Sequence, residues 1–374
     1  MAGPLGHPIL EVRLRYEDVD QAGFANNASA TTVRARYGWE TGTWRGFKAL
    51  VEGETVGRVG AYDFNDQVHP NPAYPVVADP NGTELNRLQL SWTASPALTA
   101  TLGRQRLVQD DQRFLGAAAF RQDDQTFDAV AMAGTVGSLT YTGGYLWRIN
   151  RAFAQAQDWQ SDSWYANATW AVSAAFKPQA FVYALEFDNA ATQSSLTWGL
   201  RATGRIRPGP WTLAYSGTFA RQTDYRNNPA NFDLNFWQAE ASATYGVATV
   251  RLDHEVFQGN GARGFSTPLA TLHAFQGWAD AFLTTPANGI RDTNLGLVLR
   301  PTWRLGPMRE VELTLRGHSF HADRTGQDLG SEIDAMAQVR FTAQLVGQAI
   351  YADFEGAPGF SQRRKLWVGL EYRY

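Results

Sequence analysis

The sequence predicts an all-β fold, a transmembrane antiparallel β-barrel of about eighteen strands. Three observations predict it: apolar residues recur at every second position, the alternating segments are long, and the connections between them alternate between short and long. Period-two alternation gives a strand two different faces. A soluble sandwich also alternates, but its strands average ~5–6 residues. A barrel in lipid needs ~9–11, apolar outside and polar inside, because hydrocarbon offers no water to an open sheet edge.

The segment 9–17 opens the pattern, with Leu10, Val12, Leu14 and Tyr16 on one face and Glu11, Arg13, Arg15 and Glu17 on the other. At 30–40, Val33, Ala35, Tyr37 and Trp39 oppose Arg34, Arg36 and Glu40; at 46–57, Phe47, Ala49 and Val51 oppose Lys48, Glu52 and Glu54. The same alternation sets strands at 84–94, 98–107, 126–134, 136–148, 163–174, 179–188, 194–206, 210–221, 235–246, 247–257, 293–303, 309–320, 331–341 and 342–353. The last, 364–374, places Leu366, Val368, Leu370, Tyr372 and Tyr374 between Lys365, Trp367, Gly369, Glu371 and Arg373. Trp39, Trp92, Trp147, Trp164, Trp198, Trp211, Trp237 and Trp303 stand at or near strand ends on the apolar phase, where interfacial girdles belong.

An even strand count with both termini on one side is what a single-chain bacterial barrel requires. Segments 41–45, 95–97, 134–137, 173–178, 207–210, 245–247, 304–308 and the joint at 341–342 read as short turns. Segments 58–83, 107–125, 149–162, 222–234, 258–292, 321–330 and 354–363 are mostly longer. The two kinds fall on opposite rims, the short turns facing the periplasm. FLGAAAF at 114–120 could be one more strand, but counting it breaks the alternation of rims, so 107–125 is assigned to a loop. Residues 1–8 read as a leader or expression remnant and 9–374 as one barrel domain.

Composition narrows the function. Acids number 36 against 33 basic residues, only three of them lysine, so a general polyanion or nucleic-acid binder is excluded. The absence of cysteine excludes thiolate metal sites, thiol nucleophiles and a disulfide scaffold. Mean hydropathy is −0.34 and no apolar run reaches the ~18 residues of a membrane helix.

LRYEDVD at 14–20, YPVVADPNGTELN at 74–86, LGRQRLVQDDQRFLG at 102–116, RQDDQTFDA at 121–129 and FSTPLATLHAFQGWADAFLTTPANGIRD at 265–292 together resemble the alginate-export-like family of bacterial outer-membrane porins. The resemblance implies an eighteen-stranded monomeric barrel and a passive pore, with export of a polyanionic polysaccharide in the best-known member. The chain departs from that member in being shorter and in lacking a lumen dominated by positive charge.

On the polar phase, Arg13, Arg15, Arg34, Arg36, Lys48, Arg87, Arg201, Arg205, Arg251, Arg300, Arg316 and Arg340 face inward, with Glu240, Asp253, Glu255, Glu332 and Asp334 among the acids. Arginines gather on the first strands and acids on the later ones, so the lumen is expected to be transversely polarised, which favours anions. Arg13, Arg15, Arg34 and Arg36 are expected to stay incompletely neutralised. The constriction is expected at 107–125, where Asp110, Asp111, Arg113, Arg121, Asp123 and Asp124 surround the apolar patch 114–120, with Arg104 and Arg106 turned inward beside it. The 258–292 loop, with a short helix expected after Ser266, Thr267 and Pro268, is expected either to pack against its neighbours as an ordered extracellular loop or to fold over the mouth as a gate. In loop 58–83, Asp63, Asn65, Asp66 and Asp79 offer oxygen ligands for calcium; no other cofactor is expected.

Other motifs lack their context. Gly259, Gly261 and Gly264 satisfy GxGxxG without a βαβ unit, and His318 and His321 would point to opposite faces of a strand. The sequence therefore points to an outer-membrane channel that passively conducts small polar, anionic or saccharide solutes, a monomer surrounded by outer-membrane lipid. The alternatives are a dedicated secretion pore for an acidic polysaccharide such as alginate, and a barrel enzyme or surface adhesin.

Overall fold

The computed structural model describes residues 5–153, 155–302, 306 and 308–374. Trp303, residues 304, 305 and 307 of the expected 304–308 turn, and residues 1–4 of the expected leader lie outside the described residues. The described residues form β1 (His7–Gln21), β2 (Ala28–Glu40), β3 (Phe47–Arg58), β4 (Gly82–Ser95), β5 (Leu98–Gln105), β6 (Thr126–Val136), β7 (Leu139–Asn150), β8 (Trp159–Trp170) and β9 (Lys177–Leu185). They continue as β10 (Ser195–Ile206), β11 (Trp211–Asp224), β12 (Asp233–Tyr245), β13 (Ala248–Phe257), β14 (Ile290–Leu299), β15 (Glu310–His321), β16 (Asp328–Arg340), β17 (Leu345–Gly356) and β18 (Arg363–Arg373). Every strand pairs antiparallel with the next, and β1 closes the ring on β18 with Arg13 opposite Glu371 and Leu14 opposite Leu370. Closure removes the open edges that lipid could not hydrate.

The polar and apolar phases separate as the alternation requires. Leu252 opposite Leu295 and Leu297 opposite Leu315 are exposed on the outside, while Arg251, Asp253 and Glu255 point in. Trp39, Trp92, Trp147, Trp164, Trp198, Trp211 and Trp237 are exposed on the outer face, joined by Trp44 and Trp170. The outer leucines therefore meet hydrocarbon. Replacing Leu252 by arginine at mid-barrel is expected to destabilise the protein by ~2–4 kcal/mol, measured by urea unfolding from lipid vesicles. The same change at the inward-facing Ser242 is expected to cost far less.

Several boundaries move. β1 starts at His7, because β2 continues to Glu40 and offers it a partner. The reversal expected at 134–137 occurs one step later, at Gly137 and Ser138; Gly137 takes φ +60°, a conformation glycine adopts without a Cβ clash. Between β3 and β4 the register slips at Glu52/Gly53, a bulge that turns both Asn86 and Arg87 inward.

The lumen is far from empty. Loops 106–125 and 258–289 fold into it, and their side chains form a buried aromatic and aliphatic cluster with the wall. The helix expected after Pro268 reduces to one 3₁₀ turn at Leu272–Ala274, because this segment is held by the lumen wall rather than laid across the mouth.

Candidate functional site

The two inward loops meet each other inside the barrel. Leu115 bridges Leu269 in parallel; Gly116 N–H donates to the Leu269 carbonyl at 2.8 Å and Thr271 N–H to the Gln112 carbonyl at 3.0 Å. The apolar patch 114–120 explains the direction of folding. Phe114 and Leu115 are buried, and Phe114 packs on Phe181, Tyr183, Phe236 and Phe265, surface that water would otherwise cover. Arg113 lies 3.4 Å over the Phe275 ring and pairs with Glu255 at 2.6 Å, tying both loops to β13.

The arginine cluster of β1 and β2 holds the far end of loop 106–125. Arg13 donates to Gln122 Oε1 at 2.9 Å and to the carbonyls of Ala119 and Arg121; Arg15 donates to the Phe120 carbonyl and pairs with Asp79. Arg34 donates to the Gln122 carbonyl at 3.2 Å and pairs with Glu11, while Arg36 pairs with Glu54 and Asp124. Four successive loop carbonyls are thus satisfied by guanidinium donors, which suit the task because arginine carries five N–H groups and accepts nothing. The expectation that these arginines stand free for anions is corrected. All four are buried and turned to loop carbonyls and shared carboxylates rather than to solute; Arg13 meets Glu371 at 3.9 Å, an acid that Arg34 and Arg373 also share.

The acidic side of the wall does the reciprocal task for loop 258–289. Glu332 accepts from Ala279 N–H at 2.6 Å, Asp334 from Trp278 N–H at 3.3 Å, and Glu255 from the Gln276 side chain at 2.5 Å. Asp253 is held by Gln238 and Asn294. The expected transverse field is therefore largely consumed in anchoring loops. Where the loops meet, buried Asp280 binds Lys365 at 2.7 Å, Arg121 at 3.1 Å and His273 at 2.8 Å. Burial alone would raise this carboxyl, but Lys365, His273 and Arg121 hold it well below the usual carboxylate range.

The remaining expected residues divide. Asp110 accepts from Asn167 and Gln179, and Asp111 pairs with Arg201 at 2.7 Å, so both fix loop 106–125 to the wall. Arg106 turns inward to Asp124 and Glu52 as expected. Arg104 does not. It stays in register opposite the exposed Leu88 and pairs with Asp128 at 2.7 Å, on the outer phase near the long-loop rim, because β5 runs without a bulge as far as Gln105. Its expected place at the constriction is withdrawn. The four oxygen donors of loop 58–83 also fail to converge: Asp79 binds Arg15, Asp66 caps the amides of Val68 and His69, Asn65 accepts from Gln67, and Asp63 from Tyr74.

Cationic groups remain on the lumen wall beneath loop 258–289. Arg251, Gly296 and Arg316 are register partners across β13, β14 and β15, with glycine leaving room between the two arginine stems. Arg316 lies 5.0 Å over the Trp278 ring. Among the described residues, neither Arg316 nor Arg205 has a carboxylate within ion-pair distance, whereas Arg87, Arg201 and Arg251 do. Nearer the short-turn rim Lys48, Arg300 and Arg340 pair with Glu40, Glu312 and Glu310, and Arg251 with Glu240. Sequence reasoning missed Asn86, Gln122 and the bridging role of Asp280. Only the lengths of the two loops hinted that anchors were needed.

No family model matches this chain, and no curated protein matches it. Solved structures do. OccAB2 of Acinetobacter baumannii is 13% identical, with 100% of this chain and 99% of that one covered and a TM-score of 0.77. OpdK of Pseudomonas aeruginosa, solved with vanillate, is 14% identical over 100% of both chains, with a TM-score of 0.76. A BenF-like porin from Pseudomonas fluorescens Pf-5 is 15% identical over 100% of both chains, with a TM-score of 0.77. The fold is that of these eighteen-stranded porins, and the narrower resemblance to the alginate-export-like family finds no support among them.

Proposed function

We propose that this chain is a monomeric outer-membrane porin that passively conducts small polar anions, carboxylates above all. The observation that carries the reading is two arginines on the inward phase, Arg316 against Trp278 of the inward loop and Arg205 near the short-turn rim, neither with a carboxylate within ion-pair distance among the described residues. Cations fixed along a narrow aqueous path lower the barrier for anions and raise it for cations. The vanillate in the OpdK structure, a small aromatic carboxylate, supports the same substrate class. A closed barrel with an apolar belt and aromatic girdles supports the outer membrane as its solvent.

The polysaccharide-secretion alternative rests on the family resemblance. Against it stands the bridge between Leu115 and Leu269, which places two loops across the path a polymer would thread. Enzyme and adhesin readings draw no support from the neighbours, which are channels.

Planar-bilayer recording under a salt gradient tests the proposal. The expected reversal potential lies on the anion side, and small aromatic carboxylates are expected to permeate faster than neutral sugars of similar size. A cation-selective or closed channel would overturn it.

A further inference from the structure

Five carboxylates, Glu52, Glu54, Glu84, Asp123 and Asp124, gather where β3, the start of β4 and the end of loop 106–125 meet. Three guanidinium groups serve them. Arg87 pairs with Glu52, Arg106 with Glu52 and Asp124, and Arg36 with Glu54 and Asp124. Two negative charges are left over, at Asp123 and Glu84. Asn86, turned inward by the bulge, donates its amide to Glu52 at 3.0 Å and to Asp124 at 3.1 Å, so it steadies the group without neutralising it.

The oxygens themselves point to a ligand. Glu54, Asp123 and Asp124 each offer a carboxylate oxygen within 4.8 Å of the others. Glu54 is 1% exposed and Asp123 7%, yet Glu54 Oε1 and Asp123 Oδ1 have no hydrogen-bond partner among the described residues. A buried acceptor left unmade is costly, and an unpaired buried charge more so. A cavity of about 260 Å³, lined by Glu54, Glu84, Asp123, Asn81 and Gln155, adjoins these atoms. With no two of these oxygens more than 4.8 Å apart, they lie close enough to share one calcium ion, whose oxygen ligands sit at ~2.3–2.6 Å.

We propose that Glu54, Asp123 and Glu84 bind a hard divalent cation of the calcium class, with Asp124 completing the carboxylate ring. The ion joins the end of loop 106–125 to β3 and β4, so it acts as one more anchor of the constriction. The site is distinct from the Asp63–Asp79 segment, whose oxygens are engaged elsewhere. The chemistry is a cation's, so the site does not depend on which solute the lumen conducts.

Calcium titration of the full-length barrel in detergent, stripped with EDTA, tests this by calorimetry and by the thermal midpoint. Wild type is expected to bind one calcium and to shift its midpoint upward by mass action. Asp123→Asn, which also relieves the buried repulsion and so should fold, is expected to weaken calcium binding at least tenfold. Asp66→Asn, in loop 58–83, should bind like wild type. Absence of calcium binding by wild type up to 10 mM, or loss of binding in Asp66→Asn with retention in Asp123→Asn, overturns the proposal. Magnesium run in parallel is expected to bind more weakly, because its octahedral ligands must approach to ~2.0–2.1 Å.

Discussion

Asp280→Asn is expected to produce the largest change of any single substitution in the lumen: a several-fold, noisier increase in single-channel conductance and a loss of roughly 3–5 kcal/mol in the stability of the loop assembly, the usual cost of breaking one partner out of a buried ion pair. The carboxylate is shared by Lys365, Arg121 and His273, which belong to β18, to loop 106–125 and to loop 258–289. Lys365 has no other carboxylate within ion-pair distance among the described residues, so the substitution leaves a buried ammonium unpaired. The link between the two loops also weakens at this point, because Arg121 keeps Glu17 alone as an ion-pair partner among the described residues. A conductance trace indistinguishable from wild type would sink this account of the constriction.

The pH dependence follows from the same carboxyl. Its pKa in the folded protein lies well below the ordinary value, so the ion group contributes its full stability above the unfolded-state pKa of ~3.9 and loses it only as pH falls through the lower folded value. Wild-type conductance should therefore be unchanged between about pH 7 and pH 5 as far as Asp280 is concerned. The Asn variant should be open across that whole range.

Eighteen strands were legible in the sequence because each side of the wall meets a different solvent, and period two records the difference residue by residue. The inward set was legible for the same reason: Arg13, Arg34, Arg251 and Glu332 all sit on the polar phase. What they bind was not. An inward arginine that meets water and one that meets the carbonyl of Phe120 or Gln122 look alike in sequence, because a backbone acceptor has no residue identity. Arg104 shows the converse limit. Its charge suggested the lumen, but an ion pair with Asp128 near the rim lets it remain on the outer phase, so no bulge is required. Bulges themselves, such as the one that turns Asn86 inward, arise from pairing over two strands and carry no local signature.

Selectivity provides the sharper test of which arginines face the path. Reversing both Arg205 and Arg316 to glutamate changes the sign of two wall charges that have no carboxylate within ion-pair distance among the described residues. For an anion passing about 8 Å from each in a water-filled lumen, each reversal is worth ~1 kcal/mol before screening. At 0.1 M salt, with a Debye length of ~10 Å, the pair should lower anion permeability about fivefold, and by more than tenfold at 0.01 M, while cation permeability rises. Arg34→Gln supplies the contrast. Arg34 is buried, bound to Glu11 and to the Gln122 carbonyl, so its loss should loosen loop 106–125 and raise conductance while leaving anion preference near wild type. Reversal potentials measured on both variants separate the two roles, anchor and selector. If Arg34→Gln shifts selectivity as far as the double reversal does, the anchored arginines also face the permeating ion and the division drawn between them fails.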